Sequence, residues 1–196
     1  MAPRHRLESL CYIANCLTGA LGGRRLDLRQ YPGQEFFVKI GVVADSHDNV
    51  PVIVAAVAAF RKKGVDVLIH AGDFVAPFAV RKFLALGVPV YGVFGNCDGE
   101  RKVVGELLPG TVAGVRRERL GGRTFVIVHS LDGLSEADRA GADVIVCGHT
   151  HRAEFSDGKP LVINPGECGG WVNGRCTVAF LDTDTMTPEL VELKAG

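Results

Sequence analysis

The sequence predicts an α/β domain in which two mixed β-sheets pack face to face with helices on the outside. Three observations carry that expectation. Between residues 37 and 108, apolar β-branched runs alternate with helical patterns, as in parallel strands joined by crossover helices. From Thr111 onward short strand patterns separated by Gly, Pro and Asp turns dominate. With 196 residues, 47% of them hydrophobic, the chain can fill one core but not two.

Taken in order, residues 1–37 show no sustained period and carry a Gly22-Gly23-Arg24-Arg25 cluster and a Tyr31-Pro32-Gly33 turn. The first strand pattern begins at Phe37 or Val38. Asp48-Asn49 then caps a helix with Pro51 in its first turn, apolar almost all round from Val52 to Phe60 and therefore expected to be largely buried. Lys62-Lys63-Gly64 ends it. The run Val67–Ala71 is a strand, Pro77–Leu86 a helix stopped by Gly87, Val88–Phe94 a strand, and Glu100–Leu108 a short helix stopped by Pro109-Gly110. Thr111–Leu120 and Arg123–Val128 flank Gly121-Gly122 like a hairpin, and Leu134–Ala140 reads as a helix before the strand at Val144. Short strands follow near Ala153–Phe155, Leu161–Ile163, Cys176–Leu181 and Leu190–Leu193.

Composition narrows the function classes. Lys plus Arg number 22 and so do Asp plus Glu, so no global field draws the protein to nucleic acid or an acidic membrane, and a small, locally recognised substrate fits better. The six cysteines form no C-x-x-C pair, which reads as reduced thiols in a cytoplasm. No run approaches the ~18 apolar residues of a membrane span. The apolar stretch Leu10–Ala14 is too interrupted, by Glu8, Asn15 and Thr18, for an export signal.

The chemistry lies where the strands end. Five apolar runs finish in Asp45-Ser46-His47, Gly72-Asp73, Gly95-Asn96-Cys97-Asp98, His129-Ser130 and Gly148-His149-Thr150-His151. Each motif alone is weak, since a histidine at a strand end is more often a hydrogen-bonded structural residue. Five in series are not, because the C-terminal ends of strands are where open α/β sheets gather ligands, and all these side chains offer oxygen or imidazole nitrogen to a divalent cation. His70, inside a strand, reads instead as a partner of such ligands or as a core residue. Arg116, Arg117 and Arg119 read either as a phosphate-binding edge or as a solvated face.

The set, D-x-H, G-D, G-N-x-D, H and G-H-x-H from Val38 to the C-terminus, resembles the calcineurin-like metallophosphoesterases, and within them the small cap-less phosphodiesterases of bacteria and archaea. The resemblance implies a four-layer α/β/β/α sandwich. It also implies that Asp45, His47 and His151 hold one divalent metal, Asn96, His129 and His149 a second, and that Asp73 bridges them. The reaction it implies is phosphodiester hydrolysis by in-line attack of a metal-bridging hydroxide. The mixed N/O donors suit Mn, Fe, Ni or Zn over Mg or Ca and do not choose among them; Mn is taken as the foremost candidate. The implied partner is a small phosphoester, with nucleic acid and membrane set aside and a homo-oligomer left open. Asn164-Pro165-Gly166 resembles the family's turn near the metals and equally an ordinary turn between strands. Many relatives carry G-N-H-[DE], whose histidine can protonate the leaving oxygen. Here Cys97 stands in that place and, drawn towards thiolate by cations, would donate poorly; Asp98 is the other candidate acid or an orienting group. The alternatives are a scaffold, as in a retromer subunit of the same fold, and a nuclease, which the missing basic surface disfavours. No ligand position is lost, which favours catalysis.

The resemblance also places the domain at 38–196. Small relatives start at Met-Lys-Ile or similar, and this chain reads Val38-Lys39-Ile40. A GTG valine codon doubles as a bacterial start, and Gln34-Glu35 written CAG-GAG would precede it as a ribosome-binding sequence. Residues 1–37 are therefore either a translated leader or an extension that packs on the sandwich or joins a dimer.

Overall fold

In the computed structural model, which describes residues 5–6 and 36–194, β1 (His5–Arg6) and β2 (Phe36–Phe37) form a short parallel pair. Readings made for residues 1–4, 7–35 and 195–196 lie outside the described residues. The run after Val38 becomes β3 (Lys39–Val43), and it leads into α1 (Val50–Lys63), β4 (Val67–His70), α2 (Pro77–Leu84), β5 (Val90–Phe94), α3 (Arg101–Leu107) and β6 (Val112–Ala113). These strands lie parallel in the order β3-β4-β5-β6. Strand β12 (Cys176–Asp182) pairs antiparallel with β3, and β13 (Pro188–Leu193) with β12, giving six strands. A parallel strand covered on both faces has no polar side to show, and all four residues of β4 are buried.

The second sheet has the order β10-β11-β9-β8-β7, from β7 (Arg116–Leu120), β8 (Arg123–Ile127), β9 (Val144–Val146), β10 (Ala153–Phe155) and β11 (Leu161–Pro165). It is mixed: β8, β9 and β11 run parallel, and the two edges are antiparallel. Between the sheets lie Ile40, Val42, Ile69, Phe125, Ile127, Val144, Val146 and Ile163, none with any exposed surface. On the outer face of the first sheet Val43 and Leu68 pack with Ile53, Phe60 and Phe83 from the helices. Gly41 permits that contact, since a Cβ there would stand 2.7 Å from Phe60 Cδ1.

The sandwich order is the expected one, with several local differences. Helix α1 buries one face, and Val54 is left 51% exposed on the other. Its cap residues are engaged elsewhere: Asn49 Nδ2 donates to Gly169 O and Asp48 Oδ1 accepts from Ala76 N. The end is as read, with Gly64 left-handed and its N–H returning to Phe60 O and Arg61 O. Val112–Ala113 joins β5 in the first sheet rather than the hairpin, which is confined to β7 and β8. The outer layer on the second sheet is thin, because the helix expected over Leu134–Ala140 shrinks to one turn, α4 (Glu136–Arg139), closed by a Ser135–Asp138 capping box. Arg117 Nη2 donates to Asp138 O and Ala140 O, tying that turn to β7. Arg116 likewise pairs with Glu118, so these two arginines serve structure.

Candidate metal centre

The loops that leave β3, β4, β5, β8 and β9 meet at one end of the two sheets. Five of the seven proposed ligands sit in the left-handed region, with φ of 51° at Asp45, 40° at His47, 58° at Asp73, 69° at His149 and 59° at His151. That conformation is costly for a residue bearing a Cβ and persists only where neighbours enforce it. Here the loops enforce it on one another. Asp45 N donates to Gly72 O, His47 N to Asp73 O, Gly148 N to His129 O, and His149 N to Asp45 Oδ2. Gly72 and Gly95 are required by space: a Cβ at Gly72 would stand 2.6 Å from His129 Nδ1, and one at Gly95 would collide with the Asp73 carboxylate.

All seven side chains come together, in two trios around Asp73. In the first, His151 Nε2 lies 3.6 Å and His47 Nε2 4.0 Å from Asp45 Oδ1, with the two rings stacked. In the second, His129 Nε2 and His149 Nδ1 both point at Asn96 Oδ1, at 2.9 and 3.0 Å. Asp73 stands between. Its Oδ1 accepts from Cys97 N, while Oδ2 lies 3.6 Å from His47 Nε2 and 3.5 Å from His129 Nε2. Beside the second trio opens a cleft of about 420 Å³, walled by Phe94, Val115, Leu134 and Arg101.

The profile of the calcineurin-like phosphoesterase superfamily domain matches residues 38–186. This chain belongs to that superfamily. It is 35% identical over 156 residues to phosphodiesterase MJ0936 of Methanocaldococcus jannaschii, covering 75% of this chain and 94% of the relative. A solved archaeal phosphodiesterase superposes with a TM-score of 0.73 at 34% identity, over 79% of this chain and 99% of that one. A conserved Streptococcus pneumoniae protein, a phosphoesterase by prediction, shares the fold at 23% identity with a TM-score of 0.58, over 82% and 94% of the two chains.

Membership in the calcineurin-like phosphoesterases implies divalent metal ions, and the donor set fits them. His47 Nε2 is buried without a hydrogen-bond partner and faces carboxylate oxygens, a costly arrangement unless a cation is shared. Donors each about 2.0–2.2 Å from one ion stand roughly 3–4 Å apart, as these do. Burial, then repulsion from Asp73, pushes Asp45 up to about 8, a shift that a cation held by these carboxylates would offset. Burial lowers His129, whose Nδ1 is 2.9 Å from Ala71 O and so leaves Nε2 as the donor atom for a metal. Without a metal, burial and the neighbouring carboxylates, Asp73 foremost, push the Cys97 thiol up to about 11; cations in the site would act in the opposite direction. Asp98 is 4% exposed, and its two oxygens accept from Asp73 N, Gly95 N and Val75 N. This is the bonding of an orienting carboxylate.

His70 stays out of both trios, fully buried, stacked on Phe74 and bonded to Ser46 Oγ at 3.0 Å. Asn164 is more than a turn residue: its Nδ2 donates to Gly148 O and Thr150 Oγ1, fixing the loop that carries His149 and His151. Sequence reasoning missed Glu167. It is 1% exposed, stands 3.3 Å from His151 Nδ1, and accepts from the amides of Trp171, Val172 and Asn173. An acid directly after a turn in an otherwise small-residue stretch was the available signal.

Proposed function

We propose that this chain is a metal-dependent phosphodiesterase that holds two divalent ions, Mn foremost, with Asp45, His47 and His151 around one, Asn96, His129 and His149 around the other, and Asp73 shared. The observation that carries this reading is the placement of Asp73 Oδ2 about equally far from His47 and His129, one from each trio. Ions held so would acidify water and neutralise charge that builds on a phosphate. The protein's own contribution is position. Cys97 N fixes one oxygen of Asp73 so that the other faces both trios, and Asp98 fixes the amides of Asp73 and Gly95. Four imidazoles and one amide against two carboxylates leave the loaded site positive, which draws an anionic ester. The cleft beside Asn96 and His149 gives room for a second ester substituent, in keeping with a diester and with the relatives' phosphodiesterase activity. The presence of every ligand position, clustered, favours turnover over a scaffold role.

A free histidine acid is absent at position 97, the Cys97 thiol is either a weak acid at about 11 or a thiolate beside cations, and Asp98 is engaged, so good leaving groups should react far faster than alkoxides, by part or all of the ~10² to 10⁴-fold that proton donation supplies. The free thiols at Cys97, Cys147, Cys168 and Cys176 suit a reducing cytoplasm. Among the described residues no helix is long and apolar enough to cross a membrane. The test is metal analysis of the purified protein together with turnover of bis(nitrophenyl) phosphate before and after chelation. Metal-dependent turnover at about two ions per chain is expected; turnover that survives full chelation sinks the reading.

A further inference from the structure

The chain has a single tryptophan, and it is among the most exposed large apolar residues described: Trp171 is 66% exposed and its neighbour Val172 69%. It belongs to none of the described apolar clusters. Yet the ring is held in place. The buried Glu167 carboxylate accepts from the backbone amides of 171, 172 and 173, and the indole Nε1–H donates to His47 O at 3.1 Å. The same loop is laid against the end of β3 by Cys168 N to Ala44 O and Gly169 N to Asp45 O, and Asn173 Nδ2 donates to His151 O. Gly169 accommodates the indole, since a Cβ there would lie 3.0 Å from Trp171 Cδ1 and 2.9 Å from Ser46 O.

An exposed aromatic plane that is fixed, with its one polar atom already bonded, loses little entropy when a flat group is laid on it. Its bond to the backbone of His47 puts it at the rim of the trio of Asp45, His47 and His151, while the cleft lies beside the trio of Asn96, His129 and His149. We propose that Trp171 is a stacking platform for a planar aromatic substituent of the phosphoester, a nucleobase being the natural instance. This rests on the phosphoesterase reading and adds a substrate class to it. Base-on-aromatic stacking corresponds to a roughly 5- to 140-fold gain in affinity.

Because Trp171 is the only indole, its fluorescence reports the contact directly. The full chain loaded with Zn, which is diamagnetic, is titrated with adenosine monophosphate and with ribose 5-phosphate, which keeps the phosphate and lacks the base. Adenosine monophosphate should quench the emission saturably and bind roughly 5- to 140-fold more tightly than ribose 5-phosphate. By calorimetry that gap should close in Trp171→Ala and largely survive in Trp171→Phe. Equal affinity of the two phosphates for the native protein overturns the platform while leaving the phosphoesterase reading intact, as does a gap unchanged in Trp171→Ala. If neither phosphate binds and no ester turns over, the underlying reading has failed with it.

Discussion

At the scale of single residues, position separates groups that the sequence presents alike. Asp73 and Asp98 are both buried carboxylates near the same loops, but only Asp73 leaves an oxygen facing both histidine trios. Asp73→Asn should therefore abolish turnover of nitrophenyl diesters even in saturating Mn, and His149→Ala should do the same, each with loss of bound metal by elemental analysis. His70→Ala touches no ligand directly, removing the partner of Ser46 Oγ and of the Gly72 amide and the ring stacked on Phe74, and should cost within the ~10 to 100-fold usual for groups behind the ligands. His70 also predicts a pH effect. Its burial, then the nearby His129 and His47, hold its pKa well below 6.5 in the folded protein. The unfolded chain thus binds the proton first, so the contribution of His70 to stability is complete above about pH 6.5 and falls as the pH drops below it. The raised Asp45 acts in the opposite sense over the same range and is common to both proteins, so the comparison is what reads His70: between pH 7.5 and 5.5 the melting temperature of the metal-free native chain should shift downward relative to that of His70→Gln, and parallel curves would place the acid sensitivity elsewhere.

At the scale of elements, the strands that carry ligands were legible because burial on both faces forces continuous apolar runs, and the residue that breaks each run is where the chain turns into the site. The helices were legible in existence and less so in extent. Leu134–Ala140 has helical spacing, but Gly133 at φ 79° and Gly141 at φ 69° bracket it so closely that only one turn fits. The pairing of Val112–Ala113 with β5 and not with the hairpin was not legible, because a two-residue strand has no period of its own to mark its partner. The contacts of Glu167 and Asn164 cross between loops remote in sequence, which no local pattern encodes. Close packing of these strand ends makes Gly95 a sensitive point. A Cβ there meets Asp73 Oδ1 and, at 2.7 Å, Asp73 N, neither of which is a flexible tip. Gly95→Ala is expected to destabilise the fold by about 1–3 kcal/mol and to weaken metal binding more than substitution at open Gly99 does. Calorimetric metal titration of both variants checks this, and equal affinities would show that Asp73 relaxes freely.

For the whole molecule, the question is where the folded domain begins. The sandwich order follows from the sequence pattern, and strand β3 is central to its first sheet, paired with β4 on one side and β12 on the other. Val38 is already part of that frame: it is 6% exposed, its N–H donates to Thr183 Oγ1 and its carbonyl accepts from Thr183 N. Just before it, Phe37 is 8% exposed, so a chain starting at Val38 gives up one buried aromatic side chain. That burial contributes about 1.5–3 kcal/mol, which for a domain of this size corresponds to roughly 3–12 °C in melting temperature. No ligand of the proposed centre precedes Asp45. A protein shortened to begin at Val38 should therefore fold, keep full turnover of a nitrophenyl diester, and melt within that interval below the full chain, while one beginning at Phe36 should recover most of the difference. A fall well beyond ~12 °C, or lost turnover in both shortened forms, would show that residues 1–35 support the sandwich and that the leader hypothesis is wrong.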